Sequence, residues 1–165
     1  MYHTYFPMYV RINERRFASM DEGWAQYVTN LVINRYFEEN DDLVYTGLAS
    51  GNSVMGSLED LPLITSTQFM DNSNYGYASY SLPAFFYGML HDYLGDEVFT
   101  KAYREYIQRW AKKSPTPYDF IYTMEDVSGE DLAWLFNPWF FNYGNADLGI
   151  SELKGNKLTV SKTGT

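Results

Sequence analysis

Leu82-Pro83-Ala84-Phe85-Phe86-Tyr87-Gly88-Met89-Leu90-His91-Asp92-Tyr93-Leu94-Gly95 is the most regular stretch of the chain. Leu82, Phe85, Phe86, Met89, Leu90, Tyr93 and Leu94 recur at intervals of three and four, the period of one buried helical face. His91 falls on the polar side of that helix and reads as solvated. Gly95 stops the helix and Asp96 can cap the next, whose stripe runs Phe99, Ala102, Tyr103, Tyr106, Ile107, Trp110. Lys112 and Lys113 at its end suit the negative pole of the helix dipole. A fold decided by two such stripes in succession is mainly α.

The flanks extend the same reading. Downstream, Ser114-Pro115-Thr116-Pro117 is a break, with Thr116 as cap and Pro117 at the first helical position. A short helix through Phe120, Ile121 and Met124 reaches Ser128-Gly129. A last one carries Leu132, Leu135, Phe136, Trp139 and Phe140, bent or shortened by Pro138. After Gly144 the pattern alternates: 148–153 and 157–161 surround Lys154-Gly155-Asn156 and read as a β-hairpin. One hairpin is marginal alone, so it is expected to open a following β domain. The expected division is residues 1–144, a helical unit, and 145–165, the hairpin.

Upstream, residues 40–74 are rich in Gly, Ser, Asn and Asp and lack a period, so short helical turns or a functional loop are expected there. Before them a helix starts sharply. Ser19 can cap it, Asp21 and Glu22 fill its first turn, and Trp24, Tyr27, Val28, Leu31 and Val32 form its stripe, ending near Glu39-Asn40. Residues 8–19 read as a connector. Residues 1–7 read as the tail of a helix interrupted near Pro7.

Composition narrows the function. A net charge of −9 with only Arg15-Arg16 and Lys112-Lys113 as basic clusters argues against nucleic-acid binding. No apolar run is long enough to span a membrane. Without cysteine there are no disulfides or thiolate metal sites, and with two histidines, His3 and His91, no three-histidine site. Sixteen tyrosines, eleven phenylalanines and four tryptophans predict a thick aromatic core. An aromatic surface for peptide or glycan is the alternative, which would make the chain a noncatalytic helical interaction module.

The residues that carry chemistry lie at the start. Met1-Tyr2-His3-Thr4-Tyr5-Phe6-Pro7 is followed by Met20-Asp21-Glu22-Gly23-Trp24-Ala25, with eighteen residues between His3 and Glu22. This region resembles the zinc-binding region of gluzincin metallopeptidases of the aminopeptidase N type. Their pattern is H-E-x-x-H and then, eighteen residues on, a glutamate in an N-E-G-F-A-like segment. His3 matches the second histidine and Glu22 the third ligand. The first histidine and the general-base glutamate would fall just before Met1. Asp21 stands for the usual asparagine and Trp24 for the phenylalanine; neither change replaces a ligand. Tyr80 followed by a helix ending in Leu94-Gly95 resembles the family's catalytic tyrosine and the helix after it, with Leu82-Pro83 in place of the usual Lys-Gly pair. Tyr75 fits a second tyrosine near the site, on the substrate side.

The resemblance covers nearly the whole chain and carries definite implications. The fold would be the helical C-terminal part of a thermolysin-like metallopeptidase catalytic domain, with a terminal hairpin. Zinc would be the cofactor, a peptide the substrate, His3 and Glu22 two of the metal ligands, and Tyr80 the donor to the developing oxyanion. The parent would be a zinc aminopeptidase, although the family's amine-recognising glutamate belongs to an upstream motif. Members are often exported in bacteria, so an exported or periplasmic parent is one expectation, and residues 1–165 carry no export signal. The chain by itself, lacking the base and one histidine, is expected to be inactive and to bind zinc weakly at best. Two readings compete with this. Ser19 and Glu22 stand at the spacing of a capping box, which would occupy Glu22 at a helix start. A relative that keeps the scaffold and has lost the site would look the same.

Overall fold

The computed structural model describes residues 2–37, 54, 56–57, 60–143 and 148–162. The chain is mainly helical and ends in a two-stranded antiparallel hairpin. Four helices carry the fold: α1 (Glu22–Tyr36), α2 (Leu82–Trp110), α3 (Pro117–Ser128) and α4 (Ala133–Phe140). The strands are β1 (Leu148–Lys154) and β2 (Lys157–Lys162).

The sequence signals account for most boundaries. Gly95 breaks α2 with φ 75 and ψ 159, a backbone state costly for residues with a Cβ. Thr116 and Asp119 form a capping box, with the Asp119 carboxylate 2.7 Å from the Thr116 amide, and Pro117 follows at the first helical position. Gly129 closes α3 in the left-handed conformation.

One expected cap does not form. Ser19 is buried in the turn Ala18–Met20, and its hydroxyl donates to the Leu63 carbonyl at 3.0 Å. Helix α1 therefore begins at Glu22, preceded by Asp21, with no Ser19–Glu22 box. It ends at Tyr36; the expected end near Glu39-Asn40, most of the 40–59 loop and the 144/145 boundary lie outside the described residues. The described part of the 40–74 stretch includes a short 3-10 turn, Thr67–Phe69. At the start, Tyr2–Thr4 and Tyr5–Tyr9 are short irregular turns, with non-helical backbone at Phe6 just before Pro7.

The core is aromatic. Trp24 and Tyr87 stack at 3.8 Å between centroids, joining α1 to α2. Phe6 lies against Trp24 and Tyr106, Tyr106 against Phe120, and Phe120 against Phe136, so the rings connect the N-terminal turns to all four helices. Phe6, Trp24, Phe86, Tyr87, Tyr106 and Phe120 are fully buried. The stripes are less even than their periods imply. Leu31 and Val32 on α1 and Tyr93 on α2 are exposed.

His91 is not solvated as its place on a helical wheel suggested. Its ring stacks on Phe99 at 4.3 Å, its Nδ1 is hydrogen-bonded to the Tyr27 hydroxyl, and its Nε2 lies 3.1 Å from Asp96. A residue eight positions along a straight helix is about 12 Å away. The break at Gly95 is what allows Phe99 to reach back over His91.

Candidate metal centre

Three local features put the candidate residues together. The N-terminal turns carry His3 to the start of α1, because Phe6 is locked into the core three residues later. The turn Ala18–Met20, tied down by Ser19, delivers Asp21 and Glu22. The widened turn Tyr77–Ser81, continuous with α2, carries Tyr80.

The His3 imidazole is used on both edges. Its Nδ1 lies 2.9 Å from the Phe6 carbonyl and 2.9 Å from Asp21 Oδ1. Two acceptors around one nitrogen require Nδ1 to carry the proton. Nε2 then carries the lone pair whenever the ring is neutral, and it lies 3.3 Å from Glu22 Oε2. Tyr80 lies close enough to Glu22 for its phenol to feel the carboxylate. The Tyr75 and Tyr80 rings meet edge to face at 6.2 Å. His3, Glu22, Tyr80 and Tyr75 are thus adjacent.

Asp21 is the site residue that spacing alone did not single out. Its side chain is buried, while Glu22 is 18% and His3 49% exposed. The available signal was its own position: it precedes Glu22 and lies eighteen numbers after His3. His3, Asp21 and Glu22 each offer one ligand atom, all within 4.8 Å of one another, the one such group among the described residues.

The charges of this cluster perturb one another. Burial pushes the Asp21 carboxyl up to about 6, against the opposing pull of the His3 ring. For His3, burial acts downward, but the Phe6 carbonyl and the two carboxylates outweigh it and raise its pKa. Burial and, after it, the neighbouring Glu22 carboxylate hold the Tyr80 phenol well above its ordinary value. Tyr75 is raised by burial and by the same carboxylates. Tyr80 is therefore a protonated donor throughout the physiological range.

The donor set suits zinc: a neutral imidazole with its other nitrogen held by a carboxylate, and a carboxylate ligand. His3 and Glu22 could serve as two ligands with Asp21 as an orienting partner, one ligand short of a catalytic site. The sequence model of the Peptidase family M1 domain matches residues 1–139. The chain belongs to peptidase family M1. Among curated M1 relatives it is similar to Aminopeptidase M1-D of Oryza sativa subsp. japonica, 25% identical over 97% of this chain and 19% of that protein. It is also similar to the mitochondrial Aminopeptidase 2 of Saccharomyces cerevisiae, 24% identical over 82% of this chain and 13% of that protein. This M1 chain thus spans about a fifth of the length of the rice relative and less of the yeast one. The hairpin lies beyond the residues matched to the M1 domain.

Proposed function

We propose that the chain is the downstream part of the catalytic domain of a zinc aminopeptidase, in which His3 and Glu22 are two of three protein ligands. The observation that carries this reading is the division of labour on His3, whose Nδ1 is taken by Phe6 and Asp21 while Nε2 faces Glu22 at 3.3 Å. When bound, zinc supplies a Lewis acid that lowers the pKa of a water and polarises the scissile carbonyl.

The residues of the chain act around that chemistry. Asp21 holds the imidazole in the tautomer and orientation that present Nε2. Tyr80 donates a hydrogen bond to the substrate carbonyl oxygen as negative charge builds there. Losing one such donor costs about 3 kcal/mol of transition-state stabilisation. Tyr75 meets the Tyr80 ring edge to face and borders the peptide. The remaining ligand and the general base come from outside residues 1–165, since His91, the other histidine, is engaged with Tyr27 and Asp96. The hairpin belongs to a following β domain.

Half a site does not turn over. The purified 165-residue chain with added zinc is expected to leave aminoacyl p-nitroanilides uncleaved, measured by release of p-nitroaniline. Zinc-dependent cleavage abolished by Glu22→Gln would contradict the inactive reading. The two codons before Met1 give a second check, His-Glu being the expected reading.

A further inference from the structure

Glu22 and Tyr80 lie on different elements, and the residues beside them meet. Gly23 follows Glu22, and Pro83 lies three residues after Tyr80. A Cβ at Gly23 would sit 2.6 Å from Pro83 Cβ and 2.7 Å from Pro83 Cγ, far inside the separation at which carbon atoms attract. The next atom it would meet is Tyr87 Cε2, at 3.2 Å. Pro83 and Tyr87 are one turn apart on α2, so Gly23 seats in the notch between neighbouring side chains.

The contact is held from both ends. The Tyr87 hydroxyl donates to the Ser19 carbonyl at 3.1 Å, and the Tyr87 ring stacks on Trp24, so α1 cannot slide along α2. Gly23, Trp24, Pro83 and Tyr87 are all buried. The turn before Pro83 is also unusual: Tyr77–Ser81 is a π-turn in which the Leu82 amide bonds the Tyr77 carbonyl. A proline has no amide to continue the regular ladder, and its ring excludes the carbonyl four residues back. A widened turn on its N-terminal side accommodates both effects. Tyr80 lies in that turn.

We propose that the Gly23–Pro83 contact is a positioning device that sets the separation of Glu22 from Tyr80 and keeps the Tyr80 phenol beside the Glu22 carboxylate. Its meaning for catalysis rests on the zinc reading given above. Neither residue touches a substrate or a metal; both act through their neighbours.

A double-mutant cycle tests this on the 165-residue chain labelled with 13Cζ-tyrosine, with the Tyr80 resonance assigned by its loss in Tyr80→Phe. In Gly23→Ala the Tyr80 resonance is expected to move toward that of a free phenol, and zinc affinity, read by competition with a chelating dye, to fall at least tenfold. Pro83→Gly removes both clashing atoms, so in the double variant the resonance and the affinity return most of the way to those of the parent chain. Should Gly23→Ala fail to fold by circular dichroism, Pro83→Gly alone decides, because loss of the stop is expected to shift the Tyr80 resonance. An unmoved Tyr80 resonance in a folded single variant, or additive effects in the double, would overturn the proposal. The resonance is read without metal, so it decides the contact whether or not the two-ligand chain holds zinc. Zinc that binds the parent chain and is indifferent to Glu22→Gln would sink the zinc reading and leave the contact standing.

Discussion

Single buried hydroxyls show how the aromatic core trades polarity for packing. Tyr77 and Tyr106 bury their hydroxyls without a hydrogen-bond partner among the described residues. A buried hydroxyl left unsatisfied costs about 1–3 kcal/mol, so Tyr77→Phe should raise stability by about 1 kcal/mol at neutral pH. Burial, followed by the charge of Asp60, pushes the Tyr77 phenol up to about 12. A phenol raised in the folded state favours folding fully below the unfolded value of about 10, and that contribution is lost as pH rises toward 12. Tyr77→Phe should therefore also flatten the fall in stability between those limits. Urea unfolding at pH 7 and pH 11 checks both statements, and a Phe variant less stable than the parent at pH 7 would sink them.

Residue by residue, the sequence exposed the candidate ligands and concealed their support. His3 and Glu22 are legible because they stand at a spacing that resembles a family pattern along the chain. Asp21 is not, since its role depends on a turn that brings it back onto His3 Nδ1. Ser19 misleads for the opposite reason: it has the type and spacing of a cap, but a carbonyl forty-four residues away claims its hydroxyl. Local patterns report what a side chain can do nearby, and long-range packing selects among the options.

Among the elements, the break in α2 carries the most consequence. The two stripes on either side of Gly95 are visible in the sequence, as are Thr116, Pro117 and Gly129 at the ends of α3. The fate of His91 is not, because a helical wheel presumes a straight axis. With the axis broken, Tyr27, Phe99 and Asp96 enclose the ring from α1 and from the far side of the break. Gly95 has φ 75 and ψ 159, which a residue with a Cβ adopts only at a cost of about 1–3 kcal/mol. Gly95→Ala should lose that much in denaturant unfolding and weaken the His91 contacts. Its Cβ would meet no atom within 4 Å, so the loss would be conformational rather than steric. An unchanged unfolding midpoint would contradict this assignment of the break.

At the scale of the whole molecule, the described residues comprise a helical part with a dense core and a hairpin that little covers among those residues. Ile150 pairs with Val160 and Leu153 with Leu158, yet all four side chains remain at least half exposed. A two-stranded sheet of this kind is marginal without a partner layer. Amide hydrogen exchange should therefore find β1 and β2 opening at close to zero free energy, while the buried turns of α2 exchange only near global unfolding. Hairpin amides as protected as those of Phe86 and Leu90 would mean that the hairpin is an integral part of the helical unit. The same division bears on function, because the site and its supporting contacts all lie in the helical unit.

Histidine NMR tests the claim that His3 and Glu22 form the downstream part of a zinc site. Residues 1–165 contain two imidazoles, His3 at the candidate centre and His91 enclosed by Tyr27, Phe99 and Asp96. Zinc added to the 15N-histidine-labelled chain at pH 8 should shift Nε2 of His3 and leave His91 in place, with the His3 shift lost in Glu22→Gln. A zinc response at His91, or a His3 response indifferent to Glu22→Gln, would contradict the account.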